Sequence, residues 1–256
     1  MRFYLKYIFL FTIVFNLFSC QPSTHYSSTP INNSYTNHAQ ADSLIQPYKT
    51  ALDEEMNEIL VISAEEFPKE RGKPETKLGN LVADLSLEVA NKLYKPANGD
   101  SIDFCLLNFG GLRTSLPKGE ITRGEIFELM PFENELVVAT IDGNKYNNLI
   151  KYLKISPQPI SGDFSIKHQQ KPNNNSLKID EPSFDITKSF TSNGNVKILT
   201  SDYLANGGDN MTFFLNPIKI EPVGIKLRDA IIQYCIEQNK KGNQLTGKLD
   251  GRITFE

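Results

Sequence analysis

Apolar positions along the chain fall into two spacings. Between residues 78 and 93, Leu81, Val82, Leu85, Val89 and Leu93 recur on one helical face, which predicts a helix with those side chains inward. Residues 58–63 and 102–107 are short apolar runs on either side of it and predict strands. A short helix is predicted over 122–128 and a strand over 135–141. The strand is stopped by Asp142-Gly143, and a second amphipathic helix follows with Tyr146, Leu149, Ile150 and Leu153 inward. After a stretch rich in Pro, Asn and Ser over 156–183, the pattern predicts a strand at 196–199, a helix at 227–238 and a closing strand at 252–255. Helices and strands interleave without a fixed repeat. The class expected is α+β, mixed sheets flanked by helices, with the strand order left open.

The front of the chain follows another rule. Arg2 and Lys6 precede an almost unbroken apolar run over 7–18, so residues 1–19 read as an export signal rather than part of the fold. The run ends in Leu17-Phe18-Ser19-Cys20, which resembles a bacterial lipobox, although Phe18 departs from the small residue usual there. That resemblance implies acylation of Cys20 and a cell-envelope lipoprotein, periplasmic or associated with the outer membrane. A plain secretory signal is the alternative. Each buried acyl CH2 contributes about 0.8 kcal/mol, so several chains would anchor the protein firmly. Residues 20–41 hold few aliphatic side chains and predict a disordered tether carrying His25 and His38. The folded domain is expected over 42–256. No other apolar run approaches the roughly 18 to 20 residues of a membrane span.

The whole chain has 27 Lys+Arg against 30 Asp+Glu. Without Arg2 and Lys6 the balance is 25 against 30, a net charge of −5, which argues against general nucleic-acid binding because counterion release needs a basic face. Cys105 lies in an apolar strand-like run and Cys235 on the apolar face of a predicted helix. Both read as small buried hydrophobes rather than a disulfide framework.

Candidate chemistry sits in three connections. Asn108-Phe109-Gly110-Gly111-Leu112-Arg113 follows a predicted strand, and its glycines admit close backbone approach to a ligand while Arg113 offers a bidentate donor to oxygens. Alone, this is also an ordinary glycine turn beside a surface arginine. In Met130-Pro131-Phe132-Glu133-Asn134, Phe132 caps the core or presents a flat face to a base. In Asp202-Tyr203-Leu204-Ala205-Asn206-Gly207-Gly208-Asp209-Asn210, the Asp209 carboxylate caps its own turn or accepts two hydrogen bonds from a sugar diol.

In this order the three loops resemble the C-terminal domain of the 5′-nucleotidase family. Leu78-Gly79-Asn80-Leu81, Gly119-Glu120-Ile121-Thr122, Asp142-Gly143 and Gly251-Arg252-Ile253 fit the same pattern, so the resemblance runs from about residue 77 to the end. It implies a nucleoside- or nucleotide-binding domain whose base lies between Phe132 and Tyr203. Position 203 is Phe in well-known relatives, but tyrosine also stacks, at roughly 1 to 3 kcal/mol per ring. The resemblance places Asp209 on ribose hydroxyls, Asn108 near the base, and Arg113 on ribose or phosphate. Gly110, Gly111, Gly207 and Gly208 form the binding turns. Arg71 and Lys73, just before the Leu-Gly-Asn motif, are further candidates for phosphate. Asn210 replaces a common Gly, a change Asn tolerates because it accepts positive φ.

Family members hydrolyse phosphate esters with a divalent metal pair held in a separate metallophosphatase domain. These 256 residues contain no Asp-any-His, Gly-Asn-His-Glu, Gly-Asn-His-Asp or His-any-His motif, and beyond the tether only His168. No catalytic or metal-ligating residue and no cofactor is therefore expected here. Two readings follow. The chain is the substrate-binding component of a split nucleotidase, with a metallophosphatase acting in trans, or it is a non-catalytic, anchored nucleoside-binding lipoprotein.

Overall fold

The structure is a computed structural model. It describes residues 28–30, 32, 38–96, 99–162, 166–168 and 194–255, with only the backbone of 166–168 and 254–255. The predicted signal, Cys20, His25 and most of the 156–183 stretch lie outside the described residues. The chain divides into two compact units, residues 1–47 and 48–256. Helix α1, Ala39–Met56, runs through that division, carries Pro47 inside it and buries none of its residues.

The second unit is built on a four-stranded sheet. Its strands are β2 (Phe104–Cys105), β6 (Val196–Ser201), β4 (Glu135–Ile141) and β7 (Lys219–Lys226), in that spatial order. The central pair β6 and β4 is covered on both faces, and every residue of 196–201 and 136–141 is buried, the polar Thr140, Lys197, Thr200 and Ser201 included. Such strands need cover on each side. One face carries α2 (Lys77–Leu93) and α6 (Leu227–Lys240), packed with Leu107, Val138 and Leu199. The other carries α4 (Gly143–Ile155) and the turn at Thr212–Phe214, packed with Phe104, Ala139 and Ile198. A two-stranded antiparallel sheet joins β1 (Ile59–Ser63) to β3 (Gly119–Thr122), which leads into α3 (Arg123–Leu129). The backbones of β5 (Ile166–His168) and β8 (Ile253–Phe255) pair in parallel.

Local chemistry sets the helix starts. Thr76 caps α2 through Gly79 N–H. Thr122 and Glu125 form a reciprocal capping box at α3, and Asp142 accepts from Asn144 and Lys145 N–H at α4. Tyr146, Leu149, Ile150 and Leu153 are inward as expected. Leu93 is not. It ends α2 and is 39% exposed, while the next residue, Tyr94, takes the buried position and donates to Glu221 at 2.8 Å. The expected strand at 102–107 contracts to two residues. Its hydrogen bonding passes to segment 158–161, where Leu106 bridges Ile160, Leu107 N–H donates to Pro159 O, and Cys105 N–H donates to Ser161 Oγ. Sequence pattern missed β7, whose Pro222 and Gly224 read as breakers. The strand tolerates them at the sheet edge, where the register jumps from Glu135↔Lys226 to Val137↔Pro222 and Gly224 adopts φ +85°. Cys105 and Cys235 are free and buried, and burial pushes both thiols up, that of Cys235 to about 12.

Parallel pairing decides where the motifs go. Strands β2 and β6 run together with Phe104 opposite Ile198 and Cys105 opposite Leu199, so the connections after them leave the sheet at the same end. Strand β4 is antiparallel to β6 with Leu136 opposite Ser201, so the connection entering β4 also lies at that end. The three sequence loops are thus gathered by topology alone.

Arg252 closes the domain. Its side chain is buried and donates to both carboxylate oxygens of Asp84 (2.7 and 2.9 Å), to both of Asp250 (2.8 and 2.7 Å) and to Ile160 O. Hydrogen bonding from Arg252 holds the Asp250 carboxyl near about 2, below its ordinary range. A depressed carboxylate stabilises the fold fully above its unfolded pKa near 3.9, and that contribution fades as pH falls toward about 2. Urea unfolding at pH 6, 4 and 2 is expected to show a loss over the lower interval attributable to this group, about 1 kcal/mol or less because solvent screens an exposed carboxylate, and Asp250→Asn is expected to flatten that part of the profile.

Candidate binding site

Asp209 is the focus of the converged loops. It follows the short helix α5 (Asp202–Ala205) and the Gly207-Gly208 turn, in which Gly207 adopts φ +84°. Asp209 and Asn210 are themselves left-handed, at φ +51° and +60°. For a side-chain-bearing residue this costs roughly 1–2 kcal/mol and persists only when the surroundings hold it. Four hydrogen bonds do so. Tyr203 Oη donates to Asp209 Oδ1 at 2.8 Å and accepts from Asp209 N–H at 3.3 Å. Asn108 Nδ2 donates to Oδ2 at 2.6 Å. Tyr152 Oη, from α4, donates to the Asp209 carbonyl at 3.0 Å. The carboxylate is nonetheless solvent-facing, and its hydrogen bond with Tyr203 raises the tyrosine's pKa.

Where the loops touch, glycine is needed most sharply at Gly208 and gives closer packing at Gly110 and Gly111. A Cβ on Gly208 would stand 2.5 Å from Tyr203 ring atoms, one on Gly111 would stand 2.9 Å from Asn108 Oδ1, and one on Gly110 would lie 3.2 Å from Asn108 Nδ2 and 3.4 Å from Asp209 Oδ2. Arg113 continues the chain of contacts. Its guanidinium donates to Gly110 O at 3.3 Å and lies 5.9 Å from the Phe132 ring centroid, while its backbone N–H donates to Leu129 O at the end of α3. Phe132 is 41% exposed and Tyr203 46%, so both aromatic residues present rings to solvent rather than to the core. Behind Phe132, the next residue, Glu133, is gripped by Lys226 and Arg228, and those hydrogen bonds hold its carboxyl near about 2.

On the other side of Gly110 and Arg113 lies a cleft of about 620 Å³, walled by Phe109 and Pro157 and lined by Lys69, Arg71, Lys73 and Arg113. Glu70 pairs with Lys73. Burial first, and the charges of Arg71 and Arg113 after it, lower the pKa of Lys69, whose ammonium donates to Arg113 O at 3.4 Å. An anion entering there would meet several cations at once. Gln158 fixes the wall by accepting from Phe109 N–H at 3.0 Å.

Asn108, Gly110, Gly111, Arg113, Phe132, Tyr203, Gly207, Gly208 and Asp209 are therefore brought to one end of the sheet, and Arg71 and Lys73 line the cleft that shares Gly110 and Arg113 with them. Lys69, Tyr152 and Gln158 were not anticipated. Lys69 stands two positions before Arg71 in the same basic stretch, a signal that could have found it. Tyr152 and Gln158 act through tertiary contacts that no local pattern announces. Among the described residues, no group of three or more His, Cys, Asp or Glu is placed to hold a metal ion.

Comparison with known proteins identifies the family of the domain. Residues 58–216 match the family described as 5′-nucleotidase, C-terminal domain. Over 243 residues the chain is 28% identical to the trifunctional nucleotide phosphoesterase protein YfkN of Bacillus subtilis (strain 168), a match covering 89% of this chain and 16% of that protein. The fold is similar to the 5′-nucleotidase precursor from Thermus thermophilus, with a TM-score of 0.62 at 22% identity over 85% of this chain and 43% of that one. It is also similar to the NAD nucleotidase of Haemophilus influenzae, with a TM-score of 0.58 at 17% identity over 86% and 41%. The chain thus spans less than half the length of each of these proteins.

Gly208→Ala is expected to push the Tyr203 ring off Asp209, at the cost of about one hydrogen bond, on the order of 1 kcal/mol. Gly143→Ala, at a first helical turn with nothing within 4 Å of the added methyl, is expected to cause no loss. Urea unfolding compares the two, and equal losses would refute the assigned contact.

Proposed function

The chain belongs to the family of 5′-nucleotidase C-terminal domains, and from that premise we propose that it is the substrate-binding component of a split nucleotide phosphohydrolase. In this reading the base lies against Phe132 and Tyr203, the ribose diol meets the Asp209 carboxylate, and phosphate enters the cleft of Lys69, Arg71, Lys73 and Arg113. The observation that carries it is the continuity of the site. One run of contacts leads from an exposed aromatic ring through Arg113 and the Asn108–Gly111 turn to a solvent-facing carboxylate, and the same Arg113 and Gly110 open onto a cation-lined cleft. Aromatic faces, a diol acceptor and clustered cations are the three chemistries a nucleotide requires.

Hydrolysis belongs to a metallophosphatase acting in trans. The divalent metal pair that activates water is the partner's contribution, and this chain's residues bind and orient the substrate. The predicted lipid on Cys20 would hold the component at the cell envelope. A non-catalytic nucleoside-binding lipoprotein is the second reading, favoured by the same cleft if no partner acts on what it binds.

Titration calorimetry of the full chain with adenosine, AMP, uridine and UMP tests the site. Asp209→Ala is expected to weaken binding of all bound ligands about tenfold or more, since a hydrogen bond to a charged group contributes roughly 1.5–3 kcal/mol. Raising salt is expected to weaken AMP more than adenosine, because only AMP engages the cations. Absence of binding by all four would overturn the reading. Phosphate release from AMP that requires both this chain and an added metallophosphatase separates the split enzyme from the binding module.

A further inference from the structure

Tyr203 carries a hydroxyl that ring stacking does not need, and the structure gives that hydroxyl a specific occupation. It donates to Asp209 Oδ1 at 2.8 Å while accepting from the backbone N–H of the same residue at 3.3 Å, so one phenol grips both ends of Asp209. The other carboxylate oxygen is held by Asn108 at 2.6 Å. An ionised carboxylate offers about four acceptor positions, two on each oxygen. Tyr203 and Asn108 take one on each, which leaves one on each for an incoming ligand. Two acceptors side by side on a fixed, solvent-facing group match a pair of adjacent hydroxyls. The same contacts sustain the left-handed backbone at Asp209, φ +51°, that turns the carboxylate outward from the Gly207-Gly208 turn. Gly208 completes the device, because any side chain there would strike the Tyr203 ring.

Resting on the nucleoside reading above, we infer that the Tyr203 hydroxyl is a positioning group that ties the stacking ring to the diol acceptor, so that base stacking and selection for a vicinal diol are one coupled event. A swing of the Tyr203 side chain about its Cα–Cβ bond would carry the hydroxyl away from Asp209, and Asp209 cannot rotate without losing its bond to the phenol. Specificity for ribose over deoxyribose is set by this link as well as by the carboxylate itself.

The test compares the full wild-type chain with Tyr203→Phe, using adenosine, 2′-deoxyadenosine and 2′,3′-dideoxyadenosine in calorimetry. Phenylalanine keeps the stacking face and removes only the hydroxyl. The wild type is expected to prefer adenosine over the dideoxy analogue by about tenfold or more, a preference of the size set by hydrogen bonds to a charged acceptor. Tyr203→Phe is expected to bind the dideoxy analogue as the wild type does and to lose most of the preference. An unchanged preference overturns the inference and leaves the nucleoside reading standing. Tighter adenosine binding by Tyr203→Phe also overturns it, since the hydroxyl would then be competing with the diol. Failure of the wild type to bind any of the three overturns both.

A second measurement needs neither ligand nor the Phe variant to fold. With tyrosine labelled at ¹³Cζ, the Tyr203 phenol is expected to titrate above an ordinary tyrosine and to move down in Asp209→Asn, because the carboxylate favours the protonated phenol. An unshifted phenol that ignores Asp209→Asn removes the contact on which the inference rests.

Discussion

Parallel pairing of two short strands is the constraint from which the rest follows. Strand β2 contributes only Phe104 and Cys105 to its ladder with β6, yet that pairing makes both strands point the same way. Loops that follow parallel neighbours emerge at their carboxyl ends, where open sheets commonly bind ligands. A glycine-rich loop follows each of these two strands, so Asn108 and Asp209, separated by 101 positions in the chain, come within hydrogen-bond distance. Antiparallel β4 then delivers Phe132 to the same end. With β2 reversed, no choice of loop residues would bring these groups together.

The short strand is stabilised from its outer side. Segment 158–161 satisfies the polar backbone that β2 would otherwise leave at an open edge, and Gln158 continues the same interaction into the loop 108–113 through Phe109 N–H. Arg252 joins this layer by donating to Ile160 O while pairing with both Asp84 and Asp250. Fold stability and loop placement therefore share one set of hydrogen bonds. The site is hydrogen-bonded where backbone meets backbone and exposed at Phe132, Tyr203 and Asp209.

Legibility in the sequence followed the physics of each segment. Buried elements with clean periodicity, such as α4 with Tyr146, Leu149, Ile150 and Leu153, were readable because apolar spacing and burial coincide. Leu93 was misread because periodicity says nothing about where a helix loses its cover. Strand β7 was unreadable because Pro222 and Gly224 violate strand preferences that tertiary pairing with β4 overrides. The loop motifs gave the residue types of the site, and the family resemblance gave them roles, but neither gave the geometry. Tyr152, reaching Asp209 from a helix through its hydroxyl, has no local signature. The left-handed backbone of Asp209 was foreshadowed only by the neighbouring Asn210.

The broken edge of β7 limits how copies of this protein can meet. A proline within the strand removes an amide donor, and the register jump around Gly224 prevents the regular spacing that another strand would have to match. The C-terminal half of this edge is therefore a poor template for another strand. A neighbouring copy aligned along β7 would meet a ladder interrupted at Pro222 and Gly224, which disfavours edge-to-edge growth of this sheet at that side.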